Sequence, residues 1–350
     1  METGDGWLLR ARVGGRAVTA VQWAAVAGIA SELGNGLVEV TMRANLQVRG
    51  VPGHRTGEAT ARLVDCGLAA VEDRVDRRRA VVIDPLAALA PAPRRAEGAV
   101  VLRAVEDAVE RHAAALPPKW WAVVDVGGPW PVPTAGSDLA LAFGDGRWCL
   151  EVAERALAAV PDPVAVGAGP IAAAVAIVER CAAAGVRARE LLDPLGDPAP
   201  APHAPTPWWG LRQHGSAVVA AAAPALGVST AAALASLVQL AAQPGVSVHP
   251  TPQRGIVAVA PAARSAEVRA ALTGLSTHGW IVDDRDPRRL LSGCIGIRGC
   301  TAALVDTVQV ASQLAATGRT HVSACSKRCG APAGIPELVA TADGLVEWRP

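Results

Sequence analysis

The chain has 350 residues, of which 51% are hydrophobic, and its formal net charge is +1. This length and composition predict a globular protein of two or three domains and exclude an intrinsically disordered chain. The near-neutral charge argues against general nucleic-acid binding. Because the apolar runs are short and interrupted by proline or glycine, and the first residues include two acids, we expect a cytoplasmic protein that is neither exported nor inserted into a membrane.

Residues 1–90 predict an α+β unit. Hydrophobic periodicity predicts a strand, an amphipathic helix and a second strand at Leu8–Val13, Ala20–Leu33 and Leu37–Thr41. Short glycine-containing turns separate these elements, and Arg43 follows the second strand.

Residues 98–192 predict a second module, preceded by the proline-rich stretch Pro91–Glu97. Its predicted elements are a helix at Val101–Ala115 and strands at Trp121–Asp125 and Leu139–Phe143. The stretch Gly167–Ala172 has the spacing GxGxxA that dinucleotide-binding proteins use, but it contains Pro170 and no strand clearly follows it. We therefore interpret it as an ordinary strand-to-helix turn.

A longer proline-rich stretch at residues 193–207 predicts an extended interdomain linker. Residues 208–280 then repeat the element order of the first unit. The predicted elements are Gly210–His214, a helix at Thr230–Ala242, and strands at Val246–Val248 and Gly255–Val259. Arg254, next to the last of these strands, is predicted to correspond to Arg43 of the first unit. The repeated order predicts a duplicated α+β unit, and pairing of the two copies within one chain favours a monomer.

Residues 281–350 contain four of the seven cysteines and a predicted terminal strand near Gly344–Trp348. The four cysteines have the spacing C-x5-C and C-x3-C, with 24 residues between the pairs: Cys294, Cys300, Cys325 and Cys329. Four thiolates are the ligand set of a [4Fe–4S] cluster, and this spacing favours a cluster over a structural zinc or four unrelated reduced thiols. If Cys325 begins a helix, its sulfur and that of Cys329 share one face. The isolated Cys66, Cys149 and Cys181 are expected to be buried as small apolar side chains.

Several segments resemble the nitrite/sulfite reductase superfamily. TMRANLQVRG at residues 41–50 is similar to its T-x-R-x-N-x-Q-x-x-G signature, and LLRARVGG at 8–15 to its first strand and glycine turn. LPPKWW at 116–121 resembles its lysine-bearing segment, and HVSACSKRCG at 321–330 its cluster motif. Within the superfamily, the Arg43–Asn45 triplet and the lysine segment resemble the precorrin-3B synthases. Sulfite reductases usually carry a second lysine two residues after the first, where this chain has Trp121.

The resemblance implies an α+β fold with duplicated ferredoxin-like half domains in a pseudo-twofold arrangement, and a [4Fe–4S]/siroheme-binding α/β domain. It implies an oxidoreductase of aerobic cobalamin biosynthesis that hydroxylates precorrin-3A with O2 and closes a lactone. Electrons would come from NADH, through a partner reductase or ferredoxin, and pass through the cluster. The centre that activates O2 would be either siroheme bridged by Cys329 or a mononuclear non-haem iron. None of the seven histidines is spaced convincingly from a carboxylate for such iron, and His321 is the first to test.

The resemblance also implies a cationic cradle for the carboxylates of a tetrapyrrole. Its implied catalytic residues are Arg12, Arg43 and Lys119. The implied cofactor-binding residues, besides the four cysteines, are Arg79, Asn45, Arg254 and Lys327, and Arg49 lies beside these positions. Each cation could instead be a solvated surface residue, and Asn45 could instead cap a turn.

Two other functions fit the same motifs: a siroheme-dependent nitrite or sulfite reductase, and a non-catalytic protein that binds a tetrapyrrole or a cluster. The chain also departs from the family pattern at Ala80, where asparagine is frequent, and at Asp84, where the family often has cysteine or serine. If these positions take part in catalysis, the activity would be lowered or altered.

Overall fold

The structure is a computed structural model that describes residues 2–130, 132–134, 136–153, 155–156, 169–191, 207–314, 316–329, 331, 335–342 and 346–349. The chain forms two compact units. Unit 1 comprises Met1–Ala11, Ala17–Leu68 and Trp208–Pro350, and unit 2 comprises Arg12–Arg16 and Ala69–Pro207. Of the predicted linker at 193–207, only Pro207 is among the described residues. The first two residues of the GxGxxA stretch also lie outside the described residues.

The chain contains both strands and helices. The strands are β1 (Glu2–Thr3), β2 (Gly6–Ala11), β3 (Leu37–Val40), β4 (Leu46–Val51), β5 (Val81–Ile83), β6 (Ala122–Asp125), β7 (Leu139–Gly144), β8 (Arg147–Val152), β9 (Arg155–Ala156), β10 (Gly210–His214), β11 (Ala217–Ala222), β12 (Val228–Thr230), β13 (Ser247–Thr251), β14 (Gly255–Pro261), β15 (Leu291–Gly293), β16 (Thr320–Ser323), β17 (Glu337–Ala340) and β18 (Val346–Arg349). The α-helices are α1 (Ala20–Glu32), α2 (Thr56–Asp65), α3 (Asp73–Arg77), α4 (Ala92–Arg111), α5 (Pro170–Ala184), α6 (Ala188–Leu191), α7 (Leu234–Ala241), α8 (Ser265–Thr277) and α9 (Thr307–Gln313).

Unit 1 contains the predicted duplication. In the first copy the strand order is β2-β4-β3, and in the second it is β11-β14-β13, with all neighbours antiparallel. Each copy places one helix before its β3 or β13 hairpin and one after it: α1 and α2 in the first copy, α7 and α8 in the second. The α1 helix begins with a capping box between Thr19 and Gln22. The duplicated ferredoxin-like fold is therefore confirmed.

The two copies are joined by reciprocal pairing. β12, which precedes α7, pairs with β3 of the first copy, so that Val228 lies opposite Glu39. In turn Val18, which precedes α1, donates its backbone N–H to the Val248 carbonyl of β13 at 2.8 Å. Because each copy satisfies backbone groups at the other's edge, the arrangement is pseudo-twofold.

Unit 1 also contains a smaller sheet of order β15-β16-β17-β18. The β15–β16 and β16–β17 pairs are parallel and β17–β18 is antiparallel. This sheet carries the cysteine loops. Leu226, Leu291 and Ala311 are buried together beside it, and α9 adds Val308 to the same cluster.

Unit 2 is built on a sheet of order β5-β6-β7-β8-β9, parallel from β5 to β7 and antiparallel beyond. Helices α4 and α5 pack on it through a common apolar core that includes Val105, Val109, Leu141, Ile177 and Val178. The carboxyl ends of β5 and β6 lie side by side, since Ile83 is opposite Val124.

Several sequence predictions were wrong in detail. The stretch Pro91–Glu97 lies mostly inside α4, because proline is tolerated in the first helical turn, where its missing N–H has no partner to lose. Ala217–Ala222 is a central strand that its alanine-rich sequence did not indicate. Cys149, expected to be buried, is exposed on β8, whereas Cys181 is buried.

No helix among the described residues is both long enough and apolar enough to cross a bilayer.

Candidate functional site

The first and third cysteines follow neighbouring parallel strands. Cys294 comes directly after β15, and Cys325 comes two residues after β16. Because the carboxyl ends of parallel strands meet at one edge, the two cysteine loops converge there. The backbone N–H of Ala324 donates to Cys294 Sγ at 3.3 Å, so the chain before Cys325 lies against the first cysteine.

The loop that carries Cys294 and Cys300 is fixed by short hydrogen bonds. Thr307 Oγ1 donates to the Cys294 carbonyl at 2.7 Å, and the Leu304 N–H donates to the Ala324 carbonyl at 2.8 Å. Gly296 adopts φ +64°, and a Cβ there would lie 2.8 Å from the Thr307 nitrogen, so only glycine fits.

The loop that carries Cys325 and Cys329 is a turn and not the start of a helix. The Arg328 N–H donates to the Cys325 carbonyl at 3.3 Å, and Arg328 adopts φ +51°, which ends any helical path. Arg328 Nε donates to Glu337 Oε2 at 2.6 Å, and Ser323 Oγ donates to Glu337 Oε1 at 2.6 Å. Burial raises the pKa of Glu337, but the bonds from Arg328 and Ser323 outweigh it and hold that pKa below its usual range.

The four thiols are free, with Cys294, Cys300 and Cys325 half-buried and Cys329 exposed. As the side chains stand, no three His, Cys, Asp or Glu residues in the described part of the chain lie within reach of one metal ion. Four free thiols on two converging loops nevertheless have the donor chemistry that an iron–sulfur cluster requires. The assignment of these cysteines as cluster ligands stays a prediction.

Arg254 lies beside the first cysteine. Its Nη1 donates to the Gly293 carbonyl at 3.3 Å, and its Nε donates to the Val40 carbonyl of β3 at 3.4 Å. Burial lowers the pKa of Arg254, while the charges of Glu39 and Cys294 act in the opposite direction. Arg254 therefore binds two backbone carbonyls and places a cation next to Cys294.

The repeat places Arg254 one residue away from its predicted counterpart. Thr251 is opposite Gly255 in β13–β14, and the Thr41 N–H donates to the Asn45 carbonyl in the first copy at 3.0 Å. Both hairpins thus have three loop residues, and the third has positive φ in each: Ala44 at +50° and Arg254 at +61°. The counterpart of Arg43 is therefore Gln253.

Arg43 and Asn45 lie in the first of these hairpins. Thr41 Oγ1 accepts from the N–H groups of Arg43 at 3.3 Å and Asn45 at 3.2 Å, which holds the loop in one conformation. Asn45 is buried and Arg43 is half-buried. Lys327, in the second cysteine loop, is exposed.

Arg49 is a buried structural residue. Its guanidinium pairs with Asp5 at 2.9 Å and Glu39 at 3.1 Å, and it donates to the Gly299 carbonyl at 2.9 Å. A Cβ on Gly299 would lie 2.7 Å from Arg49 Nε, so glycine is needed for this close approach. Arg49 therefore connects the first repeat to the Cys294–Cys300 loop.

Three predicted cradle residues lie in unit 2. Arg12 forms an ion pair with Asp76, Arg79 lies half-buried in a 3-10 turn before β5, and Lys119 is exposed before β6. The ion pair with Asp76 neutralises part of the positive charge of Arg12, which was predicted to bind a carboxylate of the substrate. Arg43, Asn45, Arg254, Lys327 and the four cysteines lie in unit 1.

Trp121, two residues after Lys119, is buried. Its backbone N–H donates to Asp138 Oδ2 at 3.0 Å, and its Nε1 donates to the Gly136 carbonyl at 2.7 Å. Asp138 in turn forms an ion pair with Arg187 at 2.8 Å. This position therefore contributes a fixed, hydrogen-bonded indole and no charge.

Sequence reasoning missed an acidic pair at the carboxyl ends of β5 and β6. Asp84 is fully buried and accepts from the N–H groups of Leu86 at 2.8 Å and Gly128 at 2.9 Å. Burial and the charge of Asp125 raise the pKa of Asp84 to about 7, and burial raises that of Asp125 to about 6. The detectable signal was an aspartate at the carboxyl end of each of two neighbouring strands.

Sequence reasoning also missed the carboxylate that lies opposite His321 on the neighbouring strand. The two residues are 16 positions apart in the sequence, but the parallel register of β16 and β17 places His321 opposite Glu337. The His321 ring is buried, with Nδ1 bonded to Ser292 Oγ at 2.9 Å and Nε2 without a hydrogen-bond partner among the described residues.

Comparisons with known proteins agree with this architecture. Residues 1–66 match the nitrite/sulfite reductase ferredoxin-like half domain. A precorrin-3B synthase from Sinorhizobium sp is 28% identical over an alignment of 362 positions, which covers 95% of this chain and 76% of that protein. The solved structure of the Mycobacterium tuberculosis NirA protein has a TM-score of 0.61 at 18% identity, covers 91% of this chain and 68% of NirA, and shows the shared fold.

These findings confirm the resemblance that the sequence motifs indicate: the chain carries a nitrite/sulfite reductase ferredoxin-like half domain at residues 1–66 and is similar to a precorrin-3B synthase over nearly its whole length.

Proposed function

We propose that this chain is an oxidoreductase of the precorrin-3B synthase type, which hydroxylates precorrin-3A with O2 and closes a lactone. The observation that carries the proposal is the convergence of two cysteine loops at the carboxyl edge of β15 and β16, within a fold shared with NirA. The similarity to a precorrin-3B synthase supports the choice of substrate.

Cys294, Cys300, Cys325 and Cys329 would hold a [4Fe–4S] cluster. When bound, such a cluster supplies one-electron transfer. Arg254 places a positive charge beside Cys294, and this charge would offset part of the negative charge of a bound cluster and its thiolates. The Ala324 N–H donates to Cys294 Sγ and would orient this ligand.

The substrate would be a ring with several carboxylates, and the chain's cations would bind it through charge-assisted hydrogen bonds. Lys119 is exposed and Arg43 half-buried, and Thr41 holds the loop that carries Arg43. Insertion of one oxygen atom of O2 consumes two electrons and two protons, and the second oxygen atom leaves as water. NADH would supply the electrons through a partner reductase or ferredoxin.

Trp121 distinguishes this proposal from a sulfite reductase. Reduction of a small inorganic dianion needs several cations close to one point. At the position where sulfite reductases usually carry a second lysine, this chain has an indole whose Nε1 is already bonded to the Gly136 carbonyl. The indole therefore supplies no cation for a small dianion at this position.

The proposal is tested by anaerobic purification, followed by iron and sulfide analysis and an optical spectrum. The loaded protein is then incubated with precorrin-3A, a reductant and ¹⁸O2. We expect four irons per chain and a product that carries one ¹⁸O atom. Unchanged precorrin-3A with iron-loaded protein would contradict the proposal, and an extractable isobacteriochlorin with sulfite or nitrite turnover would favour a siroheme reductase.

A further inference from the structure

The turn between Cys325 and Cys329 depends on one charged residue. Arg328 precedes Cys329 and adopts φ +51°, a conformation that is unfavourable for a side chain larger than glycine or asparagine. Such a conformation persists when surrounding contacts hold it in place. The Arg328 side chain is 54% exposed, so packing around that side chain is too slight to hold the turn.

The contact that holds Arg328 is a buried carboxylate. Glu337 begins β17, and its side chain is 3% exposed. Its Oε2 accepts from Arg328 Nε at 2.6 Å and from Nη2 at 2.5 Å, and its Oε1 accepts from Ser323 Oγ at 2.6 Å. A carboxylate with this little exposure is stable only when paired, and the pairing of its Oε2 comes from the cysteine turn.

Other groups around Glu337 belong to the same sheet. His321, opposite Glu337 on β16, is buried with its Nδ1 bonded to Ser292. Ser323 is two residues further along β16 and two residues before Cys325. Glu337 therefore connects the strand that leads into the turn with the residue that precedes its second cysteine.

We propose that the Arg328–Glu337 ion pair sets the positions of Cys325 and Cys329 for cluster binding, which makes both residues positioning residues. Arg328 and Ser323 flank Cys325 on its two sides, and both are bonded to the same carboxylate, so the turn is held at both ends. The inference rests on the proposed cluster site and adds two residues to it that supply no ligand atom.

The test compares Arg328→Gln, Arg328→Lys, Glu337→Gln and the Arg328→Gln/Glu337→Gln double variant in the full chain. The control is Glu267→Gln, which breaks the Arg264–Glu267 pair, a 2.8 Å ion pair at the N-terminus of α8 with both side chains about one-third exposed. Each protein is reconstituted with iron and sulfide. The readouts are iron content, the rate of iron loss to a chelator, the EPR spectrum of the reduced protein and the melting temperature of the iron-free protein.

We expect Arg328→Gln and Glu337→Gln to lose iron about tenfold faster than the parent chain and to have an altered EPR spectrum. The double variant should be no worse than the poorer single variant, because both changes break one interaction. Arg328→Lys should lose iron almost as slowly as the parent chain, and Glu267→Gln should lose iron at the parent rate. Arg328→Gln should also lower the melting temperature of the iron-free protein, because it leaves the Glu337 carboxylate buried without its charged partner. The double variant removes that charge, so iron loss from the double variant separates the positioning effect from this loss of stability.

The inference would be overturned if Arg328→Gln lost iron at the parent rate, even where Glu337→Gln failed to fold. Equal acceleration in Glu267→Gln would also overturn it, because the effect would then be general. If the parent chain itself takes up no cluster, the proposed function fails together with the inference. A parent chain that binds four irons while Arg328→Gln behaves identically removes the inference alone.

Discussion

Arg254 donates from Nη1 to the carbonyl of Gly293 at 3.3 Å, and Gly293 is the residue directly before Cys294. Arg254 Nε donates to the carbonyl of Val40, which lies at the end of β3 in the other copy of the duplicated unit. One side chain thus connects both copies of the repeat to the first cysteine loop. Arg254 therefore has a structural role here, and its predicted binding of a tetrapyrrole carboxylate stays a prediction.

Arg254→Met should lower the free energy of unfolding by about 1–3 kcal/mol, because two buried carbonyls would each lose a charged donor. Urea unfolding of the iron-free protein measures this change. Arg212→Met, which removes an exposed ion pair with Asp284, is the matched control and should change stability by less than about 1 kcal/mol. A loss for Arg254→Met no larger than that of the control would contradict this role.

Cys325→Ser should leave the reconstituted protein with much less iron, because a serine hydroxyl is a poor substitute for a thiolate ligand. Cys149→Ser is the control, since Cys149 is exposed on β8 and lies outside the cysteine loops. Iron and sulfide analysis after gel filtration gives the result. Full iron in the Cys325 variant would remove this cysteine from the ligand set.

Arg43→Ala should keep its cluster iron and bind the tetrapyrrole more weakly, by about tenfold if one charge-assisted bond of roughly 1.5 kcal/mol is lost. Titration of reconstituted protein with precorrin-3A under anaerobic conditions measures the affinity. Arg62→Ala is the control, because Arg62 is an exposed residue of α2 paired with Glu32 and Glu58. Equal affinity in the two variants would show that Arg43 does not contact the substrate.

Trp121→Lys should lower the free energy of unfolding by several kcal/mol and should not create sulfite reduction. A lysine would place an ammonium group in a buried site whose hydrogen-bond acceptor, the Gly136 carbonyl, is uncharged. Trp121→Phe removes only the Nε1 bond and serves as the comparison, with an expected loss of about 1–2 kcal/mol. Sulfite turnover in a stable Trp121→Lys protein would reverse this conclusion.

Stability should fall as the pH rises from 4 to 8 through the titration of Asp84. The folded-state pKa of about 7 is raised above the usual 3.8, so protonation favours the folded state. That contribution is fully present below pH 4 and is lost as the pH rises through 7. Its size for a shift of this magnitude is about 2–4 kcal/mol. Urea unfolding at a series of pH values measures it.

Asp84→Asn should give a flatter dependence of unfolding free energy on pH, because the titrating group is gone. Asp125→Asn should move the Asp84 midpoint to lower pH, since the charge of Asp125 raises the Asp84 pKa. An unaltered pH profile in Asp84→Asn would mean that another group is responsible.

Much of the fold could be predicted from local patterns. The predicted helix at Ala20–Leu33 differs from α1 by one residue, because Thr19 and Gln22 form a capping box that the sequence itself contains. The repeat was visible as a matching order of elements. The matching arginine was displaced by one position, since the alignment of the hairpins depends on backbone pairing between Thr251 and Gly255 and on positive φ at Arg254.

The amino-acid sequence alone determined the duplicated α+β unit and the presence of four thiols, because periodicity and residue type act over a few neighbouring positions. The tertiary structure decided which cations are neutralised: Arg12 pairs with Asp76, 64 positions away, and Arg328 with Glu337 on another strand. It also placed Cys294 and Cys325 at one edge, since parallel pairing of β15 and β16 brings together chain segments that are far apart in sequence. Charge and coordination depend on distances in space, and folding alone establishes those distances.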